Sequence, residues 1–222
     1  DGHGGPEPYT SVYGGADYLE ERELERMKAL YAGEVSMVDR WLGNFLDKVE
    51  SLGLMEDTMI VLLSDHGHAL GEHGVVGKPP YALWPEVTDV PFMIRHPEGR
   101  RAGDASDYYA STHDVAPTIL SALGVEPPSP MDGQDLSVFF DGGKPEARPY
   151  FVGGLHDHVW VRDGDYAMIS RNTGSGAKLY DLRADPEQQK NIAWRNPDIV
   201  KRMFEDYVVK AAGGEPPPNY DT

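Results

Sequence analysis

The sequence predicts an α/β protein, with a mostly parallel sheet flanked by helices over residues 1–140 and a small antiparallel β-plus-helix subdomain over residues 141–222. Three observations support this prediction: a long amphipathic pattern, a continuous apolar run directly behind it, and a later stretch of short strands separated by glycine-containing turns. A helix that leads into a strand buried on both faces is half of a βαβ unit, from which parallel sheets are built.

The amphipathic pattern covers residues 19–52, where apolar side chains recur mostly every three to four positions, as on one face of a helix. Glutamates at positions 20, 21 and 23 suit its start because negative charge is favourable at a helix N-terminus, and Gly53 suits its end. The run TMIVLLS (58–64) follows, and its lack of polar alternation predicts a central, parallel strand with both faces covered.

The remaining predicted elements are shorter. VPFMIRH (90–96) predicts a second buried strand, and residues 107–123 predict a strand and loop that lead into a helix capped by Asp114. The Asp-Gly turn within residues 161–166 predicts a β-hairpin, and residues 199–212 predict a closing helix.

Composition and charge exclude several kinds of partner. The formal net charge of −17 argues against a nucleic-acid partner, since the chain can neutralise few phosphates. No apolar run approaches the roughly 18 residues of a membrane span, so we expect no membrane partner. The absence of cysteine excludes disulfides, thiolate metal ligands and a cysteine nucleophile from these residues, while oligomerisation stays open. Because the chain starts at Asp1 in a glycine- and proline-rich stretch, we expect it to be a piece of a longer protein.

The candidate functional residues are concentrated in SDHGHALGEHGVVGK (64–78), directly behind the predicted strand. In an open α/β sheet, ligands bind beyond the carboxyl ends of the strands. Where the strand breaks at Gly67, the chain can turn Asp65 and His66 toward one point, and a carboxylate with an imidazole can bind a divalent cation. On spacing alone, Asp-His-Gly after a strand is more often only a turn, with Asp65 as a helix cap.

Three further side chains of this segment are candidates for substrate binding. Lys78 offers a compact cation for an anionic group of a substrate. His68 and His73 can donate hydrogen bonds or transfer protons near neutral pH. Taken singly, Lys78 also fits a solvated surface lysine and His68 a polar loop residue.

The segment 64–78 resembles the metal- and anion-binding segment of the sulfatase family, within the alkaline-phosphatase-like superfamily. Residues 31–67 are similar to that family's long helix and following strand, 89–99 to its next strand, and 111–125 to its helix after a histidine-aspartate pair. KLYDLRADPEQQKNIA (178–193) resembles the C-terminal signature of the family. The resemblance therefore covers nearly the whole chain and implies part of an alkaline-phosphatase-like fold.

The resemblance also implies an activity and a role for individual residues. The complete protein would hydrolyse a small-molecule sulfate or phosphate ester with a divalent metal, Ca²⁺ or Mn²⁺. Asp65 and His66 match the later pair of metal ligands, and Lys78 matches the lysine that holds the sulfate or phosphate oxygens. His73, in Gly-Glu-His-Gly, matches a position that is often near the substrate.

The nucleophile of this family is a formylglycine made from the first residue of a Cys/Ser-x-Pro/Ala-x-Arg motif, and no residues in this sequence match that motif. The resemblance therefore implies that the nucleophile lies upstream and that this chain alone is inactive. A phosphonate or phosphate ester hydrolase of the same superfamily is an alternative, because the resemblance has histidine at the position of His66 in phosphonate monoester hydrolases among others. Mn²⁺ would then be more natural than Ca²⁺, since imidazole suits softer ions. A truncated, non-catalytic binding or structural module is a second alternative.

Overall fold

The computed structural model describes residues 14–17, 19–128 and 131–217. The chain divides into two compact units. We call the first the sheet unit, which comprises residues up to 25, residues 66–89 and residues from 149 onward. We call the second the helix unit, which comprises residues 26–65 and 90–148. The predicted boundary near residue 140 stays a prediction.

The helices and strands follow one another in this order along the chain: β1 (Gly14–Gly15), α1 (Glu21–Ser51), β2 (Ile60–Leu63), β3 (Ala69–Leu70), β4 (Val75–Gly77), α2 (Pro85–Thr88), β5 (Phe92–Arg95), α3 (Val115–Ala122), β6 (Tyr150–Leu155), β7 (His158–Asp163), β8 (Tyr166–Arg171), β9 (Lys178–Asp181) and α4 (Pro197–Met203). A π-helical segment, Phe204–Val209, continues α4. No helix in the described parts of the chain is both long enough and apolar enough to span a bilayer.

Most of α1 lies in the helix unit and confirms the predicted amphipathic helix. Gly53 follows its end with a φ of 67°, and the N–H of Leu54 donates to the carbonyl of Val49. This left-handed residue closes the helix as glycine commonly does. The apolar side chains at the middle of α1 are at least 54% exposed: Leu30, Val35, Val38, Trp41 and Phe45. The described residues therefore leave the apolar face of α1 largely uncovered.

Strands β2 and β5 confirm the two predicted strands of the helix unit, but their pairing corrects the predicted sheet. They pair antiparallel, with Ile60 opposite Arg95 and Leu63 opposite Phe92. All strand pairs among the described residues are antiparallel, and all four residues of β2 are only partly buried. A continuous apolar run indicates burial but carries no information on the direction of the neighbouring strand.

The segment ahead of α3 also differs from prediction. No strand forms between residues 107 and 111; a short 3-10 turn, Thr112–Asp114, precedes the predicted helix instead. Asp114 occupies the predicted N-cap position of α3, but its side chain makes no capping hydrogen bond to that helix. Its carboxylate instead accepts a hydrogen bond at 2.8 Å from the N–H of Ser111, the N-cap residue of the 3-10 turn.

The sheet unit is built on the antiparallel sheet β6-β7-β8-β9. Its predicted hairpin is confirmed, because β7 ends at Asp163 and β8 starts at Tyr166. Met168 and Leu179 belong to a buried cluster with residues of α4, whereas their neighbours Ile169 and Tyr180 belong to a second buried cluster with residues from the segment 66–89. Side chains alternate between the faces of a strand, so α4 covers one face of this sheet and the segment 66–89 covers the other.

Candidate functional site

A β-hairpin presents the candidate residues of the sheet unit. Strands β3 and β4 pair antiparallel, with Ala69 opposite Gly77 and Leu70 opposite Val76. The same register places His68 opposite Lys78 at the open end of the hairpin. The turn at the closed end consists of residues 71–74, where the N–H of Gly71 donates to the carbonyl of Val75 at 2.8 Å.

His66 and Lys78 meet at the open end of this hairpin. Lys78 Nζ lies 2.5 Å from His66 Nε2, and His66 Nδ1 lies 2.7 Å from the carbonyl oxygen of Gly67. A carbonyl oxygen can only accept, so Nδ1 carries the proton and Nε2 presents a lone pair. The Lys78 ammonium donates to that lone pair, and the imidazole nitrogen therefore faces a cation.

His68 is partly buried near this pair. Burial lowers the pKa of its imidazole, and the nearby His66 lowers it further, while Glu72 opposes both effects. A neutral imidazole opposite Lys78 can accept or donate a hydrogen bond without adding a second positive charge to the site.

His73 lies at the closed end of the hairpin and is held by aromatic stacking. Its ring is parallel to that of Trp84, with centroids 4.3 Å apart and planes within 3°, and its side chain is only 8% exposed. His73 Nε2 lies 3.6 Å from Glu86 Oε2, and neither of these two buried atoms has a hydrogen bond within the described part of the chain. Burial lowers the pKa of His73, and the Glu86 carboxylate opposes that shift.

The stacking on Trp84 stabilises an unfavourable backbone conformation of His73. Its φ is 54°, in the left-handed region, which costs a residue with a Cβ roughly 1–2 kcal/mol. Stacking of one aromatic pair contributes about 0.5–1.5 kcal/mol beyond the burial of the rings, so the contact with Trp84 is large enough to offset much of the cost.

Trp84 is held in turn by strand β9. Its indole Nε1–H donates to the hydroxyl of Tyr180 at 3.0 Å, and Lys178 Nζ lies 4.3 Å from the centre of its ring system. Lys178 and Tyr180 are two positions apart and so share one face of β9. Burial lowers the pKa of Lys178 and raises that of Tyr180. The sheet therefore fixes Trp84, and Trp84 fixes the turn of the hairpin.

The structure thus separates the predicted site residues into two groups. It brings His66 and Lys78 together and places His68 in register with Lys78, whereas His73 lies at the opposite end of the hairpin, packed on Trp84. Asp65 follows the end of β2 and is exposed. Among the described residues, no three His, Cys, Asp or Glu side chains form a cluster that could hold a metal.

Sequence reasoning did not single out the support of the hairpin. No prediction from the sequence concerned Glu86, and Lys178 and Tyr180 were noted only as part of the family signature over residues 178–193. The spacing of Lys178 and Tyr180 on a predicted strand was an available signal that they share a face. Their common contact with Trp84, some 96 positions before Tyr180, is a long-range feature that local sequence does not encode.

This chain belongs to the sulfatase family. The family model described as sulfatase matches residues 2–125, and a model described as the C-terminal part of N-sulphoglucosamine sulphohydrolase matches residues 71–206. The first match alone covers more than half of the 222 residues. The predicted resemblance is therefore confirmed.

Relatives are similar over most of this chain but extend well beyond it. The multifunctional alkaline phosphatase superfamily protein PehA of Trinickia caryophylli is 28% identical over 91% of this chain and 43% of its own length. The N-acetylglucosamine-6-O-sulfatase of Bacteroides thetaiotaomicron is 33% identical over 73% of this chain and 31% of its own length. A solved structure of the phosphonate monoester hydrolase from Silicibacter pomeroyi shares the fold, with a TM-score of 0.79 and 23% identity over 90% of this chain and 44% of that one. The chain spans less than half the length of each of these proteins.

Proposed function

We propose that this chain is the C-terminal portion of a metal-dependent sulfatase that hydrolyses small-molecule sulfate esters. The observation that carries this proposal is the pair of Lys78 Nζ and His66 Nε2, 2.5 Å apart in a segment that matches the sulfatase model. An ammonium group beside a metal-ligating imidazole suits the binding and charge stabilisation of a sulfate oxygen.

The residues present fit one side of a metal site. The Nδ1–H of His66 donates to the carbonyl of Gly67, as the second nitrogen of a metal-ligating histidine commonly does, and this leaves Nε2 as the coordinating atom. We propose His66 and its chain neighbour Asp65 as two ligands, with the rest of the coordination supplied by other residues of a longer protein. When bound, the cation would stabilise charge on an ester oxygen.

Two side chains of the hairpin would then handle the substrate. With the metal bound to the lone pair of His66 Nε2, the Lys78 ammonium would donate its hydrogen bond to a sulfate oxygen instead. His68, opposite Lys78 and held neutral by burial, would donate a hydrogen bond to the ester. The nucleophile, a formylglycine by family resemblance, would come from outside these residues.

The uncovered face of α1 supports the view that a longer protein surrounds this chain. The large apolar side chains at its middle, Trp41 and Phe45 among them, are more than half exposed, and exposed apolar surface of this extent is usually covered in a soluble protein. We infer that the parallel part of the family's sheet, and the cover of α1, lie in the portion of the relatives that this chain does not span.

Exchange of Lys78 for alanine tests the proposed site in the full-length protein. We expect Lys78→Ala to lower kcat/KM for an aryl sulfate by about 10²–10³-fold, since it removes a charged donor from the developing negative charge. The bound metal, measured by elemental analysis, should stay near the parent's level. Lys190→Ala, at an exposed lysine of the same unit, is the matched control and should keep full activity. A Lys78→Ala variant with most of the parent's activity would refute the anion contact.

A phosphonate or phosphate ester is the second candidate substrate. The observation that favours it is the imidazole of His66 in the proposed ligand pair, because by family resemblance histidine at this position occurs in phosphonate monoester hydrolases. Mn²⁺ would then be more natural than Ca²⁺, since imidazole suits softer ions. The same full-length protein, loaded with either ion, should be compared on an aryl sulfate and a phosphonate monoester. A higher kcat/KM on the phosphonate with Mn²⁺ would favour this candidate over the sulfatase.

A further inference from the structure

We propose that Glu86 is a positioning residue for the anion-binding site, because helix α2 and its N-cap residue Trp84 hold the segment that presents Lys78 at two points, its start and its turn. This inference rests on the proposed function of Lys78 and concerns how its place is fixed. Glu86 belongs to α2, a single helical turn whose N-cap residue is Trp84. It does not contact the proposed substrate and would act through the hairpin.

The first hold is made by the backbone of α2. The N–H of Gly67 donates to the carbonyl oxygen of Val87 at 2.8 Å. A Cβ placed on Gly67 would come within 2.0 Å of the carbonyl oxygen of Glu86, so the two backbones touch at the start of the segment. The residue fixed here is the direct neighbour of His66, and its carbonyl oxygen accepts the hydrogen bond from His66 Nδ1.

The second hold is made on the hairpin turn by two side chains, that of Glu86 in α2 and that of its N-cap residue Trp84. Trp84 stacks on the ring of His73, and the Glu86 carboxylate faces its Nε2 at 3.6 Å. His73 occupies a backbone conformation that it would not adopt freely, so loss of either contact releases the turn. Strand β4 runs directly from this turn to Lys78, so a shift of the turn would move the ammonium group of Lys78.

Of the two side chains that contact His73, that of Glu86 can be replaced with less disturbance of the hydrophobic core. Trp84 is also part of the hydrophobic core, and its replacement would disturb that core generally. Glu86 is partly buried, and its Oε2 faces His73 without a hydrogen bond among the described residues. Its replacement therefore removes this electrostatic contact while the backbone hydrogen bond of Val87 to Gly67 can stay. A variant at Glu86 therefore separates placement of the hairpin from stability of the unit.

The test compares Glu86→Ala, Glu86→Gln and Lys78→Ala in the full-length protein, with inorganic sulfate as the probe. We expect Glu86→Ala to raise the Kd for sulfate about tenfold, since a small displacement of a positioned group has a large effect on its interaction. Glu86→Gln keeps the side-chain size and a polar contact to His73, so it should recover part of the loss. Glu205→Gln removes an exposed carboxylate of the same unit that is paired with Lys201, and should bind sulfate as the parent does.

Hydrogen exchange supplies a readout that is independent of activity and of metal loading. Amides of Leu70 and Val76, in the hairpin, should exchange faster in Glu86→Ala, while amides of Met168 and Ile169 in β8 should keep the parent's rates. General destabilisation would accelerate both sets alike and would overturn the proposal. If Glu86→Ala fails to fold, Glu86→Gln carries the same comparison with a smaller shift.

The sulfate titrations distinguish failure of this inference from failure of the proposed function. Weaker sulfate binding in both Lys78→Ala and Glu86→Ala supports the positioning role. Parent-like binding in both Glu86 variants, with weak binding in Lys78→Ala, overturns the positioning role alone. Parent-like binding in Lys78→Ala overturns the assignment of the anion site, and the inference with it.

Discussion

Gly67 shows how one residue without a side chain sets the geometry of the candidate site. Its N–H is bound by the carbonyl of Val87, and the carbonyl oxygen of Glu86 occupies the space that a Cβ would need. The sequence indicated that a glycine here would break the strand, but not that another backbone would lie against it. The close approach, rather than an unusual φ, excludes larger residues.

Gly67→Ala should destabilise the protein by about 1–3 kcal/mol, the usual cost of inserting a methyl group into a packed region. Backbone atoms of α2 must move to admit the methyl group, so sulfate binding should weaken as well. Gly43→Ala is a suitable control, because a Cβ there would meet nothing within 4 Å and α1 should gain about 0.5–1 kcal/mol. Urea unfolding measures both effects, and a Gly67→Ala variant as stable as the parent would contradict the close approach.

At the scale of elements, one buried ion pair ties α3 to the loop that follows it. Asp114 is fully buried, and its carboxylate accepts hydrogen bonds from Arg148 and from the backbone N–H groups of Ser111 and Gln134. Burial alone would raise the pKa of Asp114, but these hydrogen bonds together bring it below the ordinary value. The helix unit therefore depends on a charged carboxylate at this position.

Asp114→Ala should lower the free energy of unfolding by about 3–5 kcal/mol at neutral pH, because it leaves the Arg148 guanidinium without its charged partner. The pKa of Asp114 is lower in the folded than in the unfolded chain. Its contribution is therefore complete above the ordinary value of about 4 and disappears as the pH falls through the folded value. Unfolding curves from neutral to acidic pH should show the parent and variant converging.

An exposed pair in the same unit provides the comparison for this pH series. Asp141 contacts Arg100 at 2.8 Å, but its side chain is 76% exposed. Asp141→Ala should unfold like the parent at every pH, since exposed pairs contribute little. A constant difference between Asp114→Ala and the parent down to acidic pH would argue that packing, not charge, is what Asp114 provides.

The elements also show which features a sequence can predict and which it cannot. The periodic spacing of apolar residues predicted α1 to within two residues at its start and one at its end, because helix packing repeats every few residues. The apolar run at β2 predicted a strand but not its direction, because the direction depends on a partner strand far along the chain. Val61 of β2, for example, pairs with Ile94 of β5, 33 residues later. Turn chemistry predicted the hairpin at Asp163 because that signal is local.

The candidate site also has some features that the sequence predicted and others that it did not. His66 and Lys78 were predicted from residue type and family resemblance; the structure brings them within 2.5 Å of each other, and their roles stay predictions. The role of His73 near a substrate stays a prediction, but its burial against Trp84 was not foreseen. Stacking partners are chosen by the tertiary fold, and no spacing within residues 64–78 indicates them.

At the scale of the whole molecule, the proposed function assigns to the described chain the parts of a site that position a substrate, and not the attacking group. It supplies Lys78, a candidate metal-ligating imidazole at His66, and a hairpin fixed on the sheet. Its sequence contains no Cys/Ser-x-Pro/Ala-x-Arg motif, and it spans less than half the length of the relatives described above. Placement of a substrate and attack on it are therefore assigned to different portions of the proposed protein.

The isolated 222-residue chain should accordingly show no turnover of an aryl sulfate or a phosphonate ester, with either Ca²⁺ or Mn²⁺. It should also bind these ions weakly, because Asp65 and His66 alone provide too few ligands for a tight site. The full-length protein is the positive control, and circular dichroism must show that the isolated chain is folded. Turnover by the folded isolated chain at a rate near that of the full-length protein would mean that its own residues supply the attacking group, and the proposed division of the site would be wrong.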